Sequence, residues 1–136
     1  MFRFLIGIFI ILHGLVHFWY FTLSQRLVTF QPEMGWDGSS VILSNFVREP
    51  ALRSIAGVLY VLAALTFVVG GVGLFIQADW MRPVLIGAAI FSSAVILLFW
   101  DGSGEMLVQK GLLGLLINLA ILLILLVFQQ SGIAAA

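Results

Sequence analysis

The sequence alternates between long apolar runs and shorter polar stretches. Four apolar runs stand out, at residues 4–21, 54–76, 83–100 and 106–128. At about 1.5 Å of rise per residue, runs of roughly 18 to 23 residues cross a ~30 Å hydrocarbon core as helices. Continuous apolar runs without alternation exclude a membrane β-barrel. We therefore expect an all-α integral membrane four-helix bundle that forms one domain over residues 1–136.

The polar stretches are unequal in length. The one between the first and second runs is by far the longest, at about 32 residues, and connections this long inside compact domains tend to be functional or disordered. It contains the apolar segments 41–43 and 46–47. We expect this first loop to cap the bundle or to lie on the membrane surface.

Composition supports the membrane assignment. The chain is 62% hydrophobic and 9% charged, which lies outside the range of soluble globular proteins. Its six basic residues are balanced by six acidic ones, so no basic field exists to hold a nucleic acid. We expect the lipid bilayer as a partner and no nucleic acid. The absence of cysteine limits any metal or cofactor site to histidine, carboxylate or backbone ligands.

The beginning of the chain resembles a signal peptide because Met-Phe-Arg precedes an apolar run. No small-x-small cleavage site follows, so we expect the run to be retained as the first helix of a multi-pass protein. The orientation is left open. Counts of Lys and Arg near the helix ends favour the first-loop side as cytoplasmic, whereas Arg3 beside the first helix favours the opposite.

Small and polar residues of the first helix recur every three or four positions and share one face. They are Gly7, Ile10, His13, Gly14, His17, Tyr20 and Ser24. Such a face is expected to pack against other helices, since small residues allow close approach and polar ones find partners across the interface.

The other helices carry similar stripes. The second has a packing seam of small residues at Ala56, Gly57, Ala63, Ala64, Gly70 and Gly71. The third offers Ala88 with Ser92, and the fourth has Gly111, Gly114 and Asn118 on one stripe. We expect Asn118 to point into the bundle.

The two histidines are the first candidates for chemistry, since ionisable groups at membrane depth are costly. Imidazoles at i and i+4 can chelate a metal, with a third ligand from Asp101, Glu105 or Asn118. The pair cannot supply both axial ligands of one haem from a single helix. Haem would need one histidine plus Met106, or two copies of the chain. No metal site is predicted, and haem or quinone is kept only as an alternative.

Two other interpretations of the histidines fit the sequence. In the first, both imidazoles are neutral and form hydrogen bonds with backbone carbonyls, Tyr20, Ser92 or Asn118, and these bonds hold the helices together. Alternatively, His13, His17, Tyr20 and Asn118 line a ligand pocket that holds a quinone, where an imidazole donates to a carbonyl or relays a proton.

A second hypothesis concerns the side of the bundle with the long loop, where most charges lie. A polar cluster is predicted there from Trp36, Asp37, Arg53, Asp101 and Glu105. Residues 36–38 are also expected to form a turn.

The pattern Arg3-x-Leu5-x-Gly7 followed by His13-Gly14 resembles the opening of the DoxX-like family of small four-helix membrane proteins. The likeness extends to the Gly-rich stretch 70–74, the turn at 82–83 and a final apolar helix. Family members often carry an acidic residue within the second helix, which residues 59–69 lack, and His17 stands where relatives tend to have lysine.

This resemblance implies a redox-adjacent or accessory role in the bacterial inner membrane. The leading expectation is an accessory or interaction subunit, as a homo-oligomer or as part of a redox-linked membrane complex. The alternatives are a quinone-linked oxidoreductase subunit with a histidine-lined pocket and a transporter of ions or small solutes. The sequence leaves open whether the chain is itself an enzyme, and it favours a role without catalysis.

Overall fold

The computed structural model describes residues 2–127, and all of the regular secondary structure in this part of the chain is helical. Its elements are α1 (Phe2–Ser24), α2 (Glu49–Ile76), α3 (Met81–Leu98) and α4 (Leu113–Val127), with a 3₁₀ turn at Pro32–Met34 and a π-helical segment at Val108–Leu112. Four regions of this part of the chain are long and apolar enough to span a membrane. Helix α1 packs along α2, α2 along α3, and α3 against α4. The prediction of an all-α four-helix bundle is confirmed.

The helix ends differ from those expected from hydropathy. Helix α2 begins at Glu49, five positions before the predicted start at 54, with Pro50 in its first turn. Proline has no N–H to leave unbonded there, and an acidic residue suits the positive end of the helix. The fourth run was expected to begin at Met106, but Met106 has a φ of 51° and regular α-helix begins at Leu113. The predicted end at residue 128 lies outside the described residues.

The π-helical segment ends in a break of the backbone. Leu112 N–H donates to the carbonyl of Leu107 at 2.9 Å, five positions back. Gly111, inside the segment, has a φ of 113°, a conformation open mainly to glycine. A Cβ there would lie 2.7 Å from Cγ2 of Ile96. Helix α4 therefore starts from a fixed kink that lies against α3.

Helices α1 and α2 approach each other through the small residues that the sequence singled out. All seven positions of the α1 stripe and all six of the α2 seam are buried. At Gly14, an added Cβ would lie 2.6 Å from Cβ of Phe67 and 3.1 Å from the carbonyl oxygen of Ala64. The close approach of the two helices thus depends on the absence of a side chain at Gly14.

The core consists of two apolar clusters at different depths. The cluster on the first-loop side contains Tyr20, Leu23, Trp36, Leu52, Ala56, Tyr60, Val95 and Phe99. The cluster on the side where α1 begins contains Ile10, Phe67, Leu85, Ala88, Ala89 and Ile121. Between them lies the level of His13 and His17.

The long first connection caps the bundle. Trp36 is only 4% exposed, and its ring lies 6.0 Å from that of Tyr60 and 5.6 Å from that of Phe99. Ser40 Oγ donates to the carbonyl of Leu98 at 2.6 Å. Phe46, in contrast, is 85% exposed, so one turn of the same connection faces away from the core.

Candidate functional site: a buried polar layer

Polar side chains from three helices meet between the two apolar clusters. Helix α1 contributes His13 and His17, α3 contributes Ser92 and Ser93, and α4 contributes Asn118. Four of them are buried, with exposed fractions of 6% for His13, 2% for His17, and 0% for Ser92 and Asn118, whereas Ser93 is half-buried. Since His13 lies halfway along α1, this layer lies near the middle of the membrane-spanning region.

Hydrogen bonds join all five side chains. His13 Nε2 lies 2.8 Å from Asn118 Oδ1, and His17 Nε2 lies 2.7 Å from Ser92 Oγ. Asn118 Nδ2 donates to Ser92 Oγ at 2.9 Å and to Ser93 Oγ at 3.1 Å. Of the side chains that the sequence offered as partners for the histidines, the structure thus selects Ser92 and Asn118 and not Tyr20.

Backbone carbonyls at the two ends of the network determine where its protons lie. Ser93 donates its only proton to the carbonyl of Ala89, so it must accept from Asn118, which orients the amide. His17 Nδ1 lies 3.2 Å from the carbonyl of Gly14, and a carbonyl can only accept. Neutral His17 therefore carries its proton on Nδ1.

The orientation of the Asn118 amide and the proton on Nδ1 of His17 determine the positions of the remaining protons. Neutral His17 accepts at Nε2, so Ser92 donates to it. The oriented amide of Asn118 presents its oxygen to His13, which must then carry its proton on Nε2. The two histidines are thus held as opposite tautomers, and both fit the network in their neutral form.

The network uses every N–H and O–H donor of its five side chains. The ring of His13 also packs edge-on against Phe67 at 4.9 Å between centroids, and that of His17 lies 6.4 Å from Tyr60. Among residues 2–127, Nδ1 of His13 is the one ring nitrogen of the pair that makes no hydrogen bond. The arrangement therefore links α1, α3 and α4 and leaves no free donor for a ligand.

Tyr20, the fourth residue of the predicted pocket, lies outside this network. Its ring stacks on Tyr60 with 5.2 Å between centroids, within the first-loop cluster. Its hydroxyl donates to the carbonyl of Gln109 in the π-helical segment. Tyr20 thus connects α1 to the beginning of the fourth span at a second level of the bundle.

The predicted cluster on the first-loop side separates into two groups. In the first, Arg53 donates to the carbonyl of Asp37 at 2.6 Å and pairs with Glu49 at 2.8 Å. The Cζ of Arg53 lies 5.7 Å from the ring centre of Trp36. Asp37 Oδ1 accepts from the backbone and the hydroxyl of Ser39, which forms an Asx turn over residues 37–39, one position after the turn expected at 36–38.

The second group is centred on Asp101. Its carboxylate lies 2.5 Å from Nζ of Lys110 and accepts from the backbone N–H of Ser103 at 2.9 Å. Partial burial opposes ionisation, but the hydrogen bonds and the charge of Lys110 outweigh it and hold the pKa of Asp101 below its ordinary value. Glu105 is exposed and its side chain pairs with no residue in the described part of the chain.

The carboxylates that the sequence offered as metal ligands lie apart from the histidine pair. Within residues 2–127, no three His, Cys, Asp or Glu side chains converge on a point where they could hold a metal ion. Asp101 and Glu105, two of the third ligands considered for the histidine pair, lie among the loop-side residues, and Asn118 uses its amide in the network.

Ser93 is the one member of the polar layer that the sequence analysis did not single out. It follows Ser92 directly, and neighbouring positions on a helix point about 100° apart. A wide inward face on α3 includes both. The sequence did contain a signal for Ser93, because two adjacent serines lie within an apolar run.

In comparisons with known proteins, no family model matches the sequence, and no curated protein or solved structure matches it. The similarity of helix α1 to the DoxX-like pattern therefore stays a prediction.

Proposed function

We propose that this chain is an accessory or interaction subunit of a membrane complex, and that its buried polar layer holds three of its own helices together. One observation carries the proposal: every donor in the layer is used inside the chain. A substrate site or proton relay needs a group that can change partners, and a change here would leave a buried donor unpaired, which is unfavourable.

The outer surface of the fourth span supports an interaction role. Only 17% of the apolar 18-residue stretch of this span is buried inside the chain, compared with 33% or more of the corresponding stretch in the other three spans. Its exposed face is a row of large aliphatic side chains: Leu112, Leu113, Leu116, Leu119, Leu123 and Leu126. Another membrane subunit or a second copy of the chain can pack on such a face as well as lipid can.

The resemblance of α1 to the DoxX-like pattern supports placing the complex in a bacterial inner membrane with a redox-linked role. A quinone-linked oxidoreductase subunit would require an imidazole N–H aimed at the quinone, whereas those of His13 and His17 are bonded to Asn118 and Gly14. A transporter would require a polar path, whereas the polar layer lies between two apolar clusters. Both alternatives therefore receive less support.

The proposal is tested with native membranes solubilised in a mild detergent and separated by native electrophoresis with mass spectrometry of the bands. We expect the chain in a defined particle with a stoichiometric partner. Leu119→Trp on the exposed face of α4 should release the free chain. Val58→Trp, at an exposed position on α2, is the control and should leave the particle intact.

Two results would contradict the proposal. One is a chain that runs free in every mild detergent. The other is a purified protein that carries stoichiometric quinone or haem and turns over a quinone substrate.

A further inference from the structure

A deep cleft separates α1 from α4 on the side of the bundle where α1 begins. Its volume is about 640 Å³, within the range of roughly 300–1,000 Å³ that is usual for small-molecule pockets. Ile6 and Ile10 of α1 form one wall, Ile117 and Ile121 of α4 form the other, and Leu85 of α3 contributes to the floor. The cleft lies within the membrane-spanning region, where an apolar groove is filled by hydrocarbon and not by water.

Among residues 2–127, Arg3 is the one charged residue in the lining of the cleft. The Nε of Arg3 is buried and has no hydrogen-bond partner among residues 2–127. Its guanidinium carbon lies 5.5 Å from the ring centre of Phe4. A buried donor without an acceptor is unfavourable, so the described part of the site is one acceptor short.

The position of Arg3 indicates what the acceptor is. Arg3 lies in the first turn of α1, at the depth where lipid phosphates lie, and the helix dipole adds positive potential there. Arg82, another cation on this side, donates to the carbonyl of Leu125, which also lines the cleft. The described charged residues of this end are Arg3, Arg82 and the exposed Asp79, so the local charge is positive and favours an anion.

We propose that this cleft binds one anionic phospholipid, with an acyl chain between α1 and α4 and a phosphate oxygen that accepts from Nε of Arg3. The guanidinium group suits phosphate because it offers several donors in one plane. A neutral quinone would leave the positive charge uncompensated. This binding site is additional to the proposed subunit role and does not depend on it.

The test uses the purified full-length chain, delipidated in detergent and titrated with dioleoyl phosphatidylglycerol or dioleoyl phosphatidylcholine under native mass spectrometry. We expect one tightly held lipid and a preference for phosphatidylglycerol of about five- to tenfold, the effect of one basic residue. Arg3→Gln should remove most of this preference. Arg48→Gln, which neutralises an exposed arginine on the first-loop side, is the matched control and should keep it.

A second pair of variants tests the acyl chain. Ala120 lines the cleft, and Ala120→Phe should fill it and abolish tight binding of both lipids. Ile90→Phe, at an exposed position on α3, should bind as wild type does.

Equal binding of the two lipids, or an unchanged preference in Arg3→Gln, would overturn the proposal. So would a bound quinone, or a dimer that covers the cleft with a second copy. Because Arg3→Gln changes only a partly exposed side chain, it decides the charge claim even if Ala120→Phe fails to fold.

Discussion

His13 Nε2 lies 2.8 Å from Oδ1 of Asn118, a residue 105 positions further along the chain. This contact joins the first and last helices directly, next to a cleft where the same two helices stand apart. The same amide donates to Ser92 and Ser93 of α3. The packing of α4 in the bundle thus depends on Asn118, which accepts a hydrogen bond from α1 and donates two to α3.

Asn118→Leu should destabilise the protein more than any single serine substitution in the layer. It leaves the N–H of His13 unpaired and removes both bonds to α3, and we expect a loss of about 1–2 kcal/mol. The free energy of unfolding can be measured by steric trapping in bilayer discs. Leu119→Ala, at the adjacent exposed position, is the control. A loss no larger than that of the control would mean that the network contributes nothing to stability.

Gly14→Ala should weaken the contact between α1 and α2. The new Cβ would lie 2.6 Å from Cβ of Phe67 and close to a backbone carbonyl that cannot move aside, so we expect a loss of about 1–3 kcal/mol. Thermal unfolding in detergent measures it. Gly87→Ala provides the matched control, because a Cβ at Gly87 meets nothing within 4 Å and alanine is the better helix former. Equal melting temperatures for the two variants would refute the packing account.

Gly111→Ala should disturb the start of α4. The substitution forces a side chain onto a φ of 113° and against Ile96, with an expected cost of about 1–3 kcal/mol. The kink also positions the carbonyl of Gln109 as the acceptor for the Tyr20 hydroxyl. Tyr20→Phe should therefore lower the free energy of unfolding less in the Gly111→Ala variant than in the native chain. Gly104→Ala, where a Cβ meets open space, is the control. Additive effects of the two changes would show that the kink does not position the bond.

Stability should fall at acid pH in a way that depends on Asp101. Its pKa is lower in the folded chain than the ordinary value of 3.8, so its contribution is present above that value and is lost as the pH falls through the folded pKa. Asp101→Asn should cost about 1 kcal/mol at pH 7 and much less near pH 3. Unfolding at both values measures this, with Glu105→Gln as the control. A cost that does not change with pH would exclude the linkage.

The sequence was sufficient to predict the helices and their inward faces, because membrane helices expose their periodicity directly. Gly7, His13, His17 and Tyr20 were placed on one stripe, and all are buried. The inward direction of Asn118 followed from the high cost of placing an amide in lipid.

Other features depend on tertiary contacts that periodicity does not contain. The start of α2 at Glu49 was missed because hydropathy counts Arg53 against a membrane helix, whereas its guanidinium group reaches back to Glu49 and Asp37. The partner of Tyr20 is a backbone carbonyl exposed by the π-helical segment. The sequence grouped the residues of the predicted pocket and of the loop-side cluster by their side of the membrane. The fold shows that Tyr20 contacts Tyr60 and Gln109 and does not join the hydrogen-bond network of the histidines.

The central claim is that the buried polar layer is a closed structural network with both histidines neutral and of opposite tautomer. Nitrogen-15 NMR of the histidine-labelled protein in lipid bilayers at pH 7 tests it most directly. We predict a protonated Nδ1 and bare Nε2 for His17, and the reverse for His13, with spectra unchanged when ubiquinone is added. An imidazolium signal, two like tautomers, or a shift of either ring on quinone addition would contradict the account.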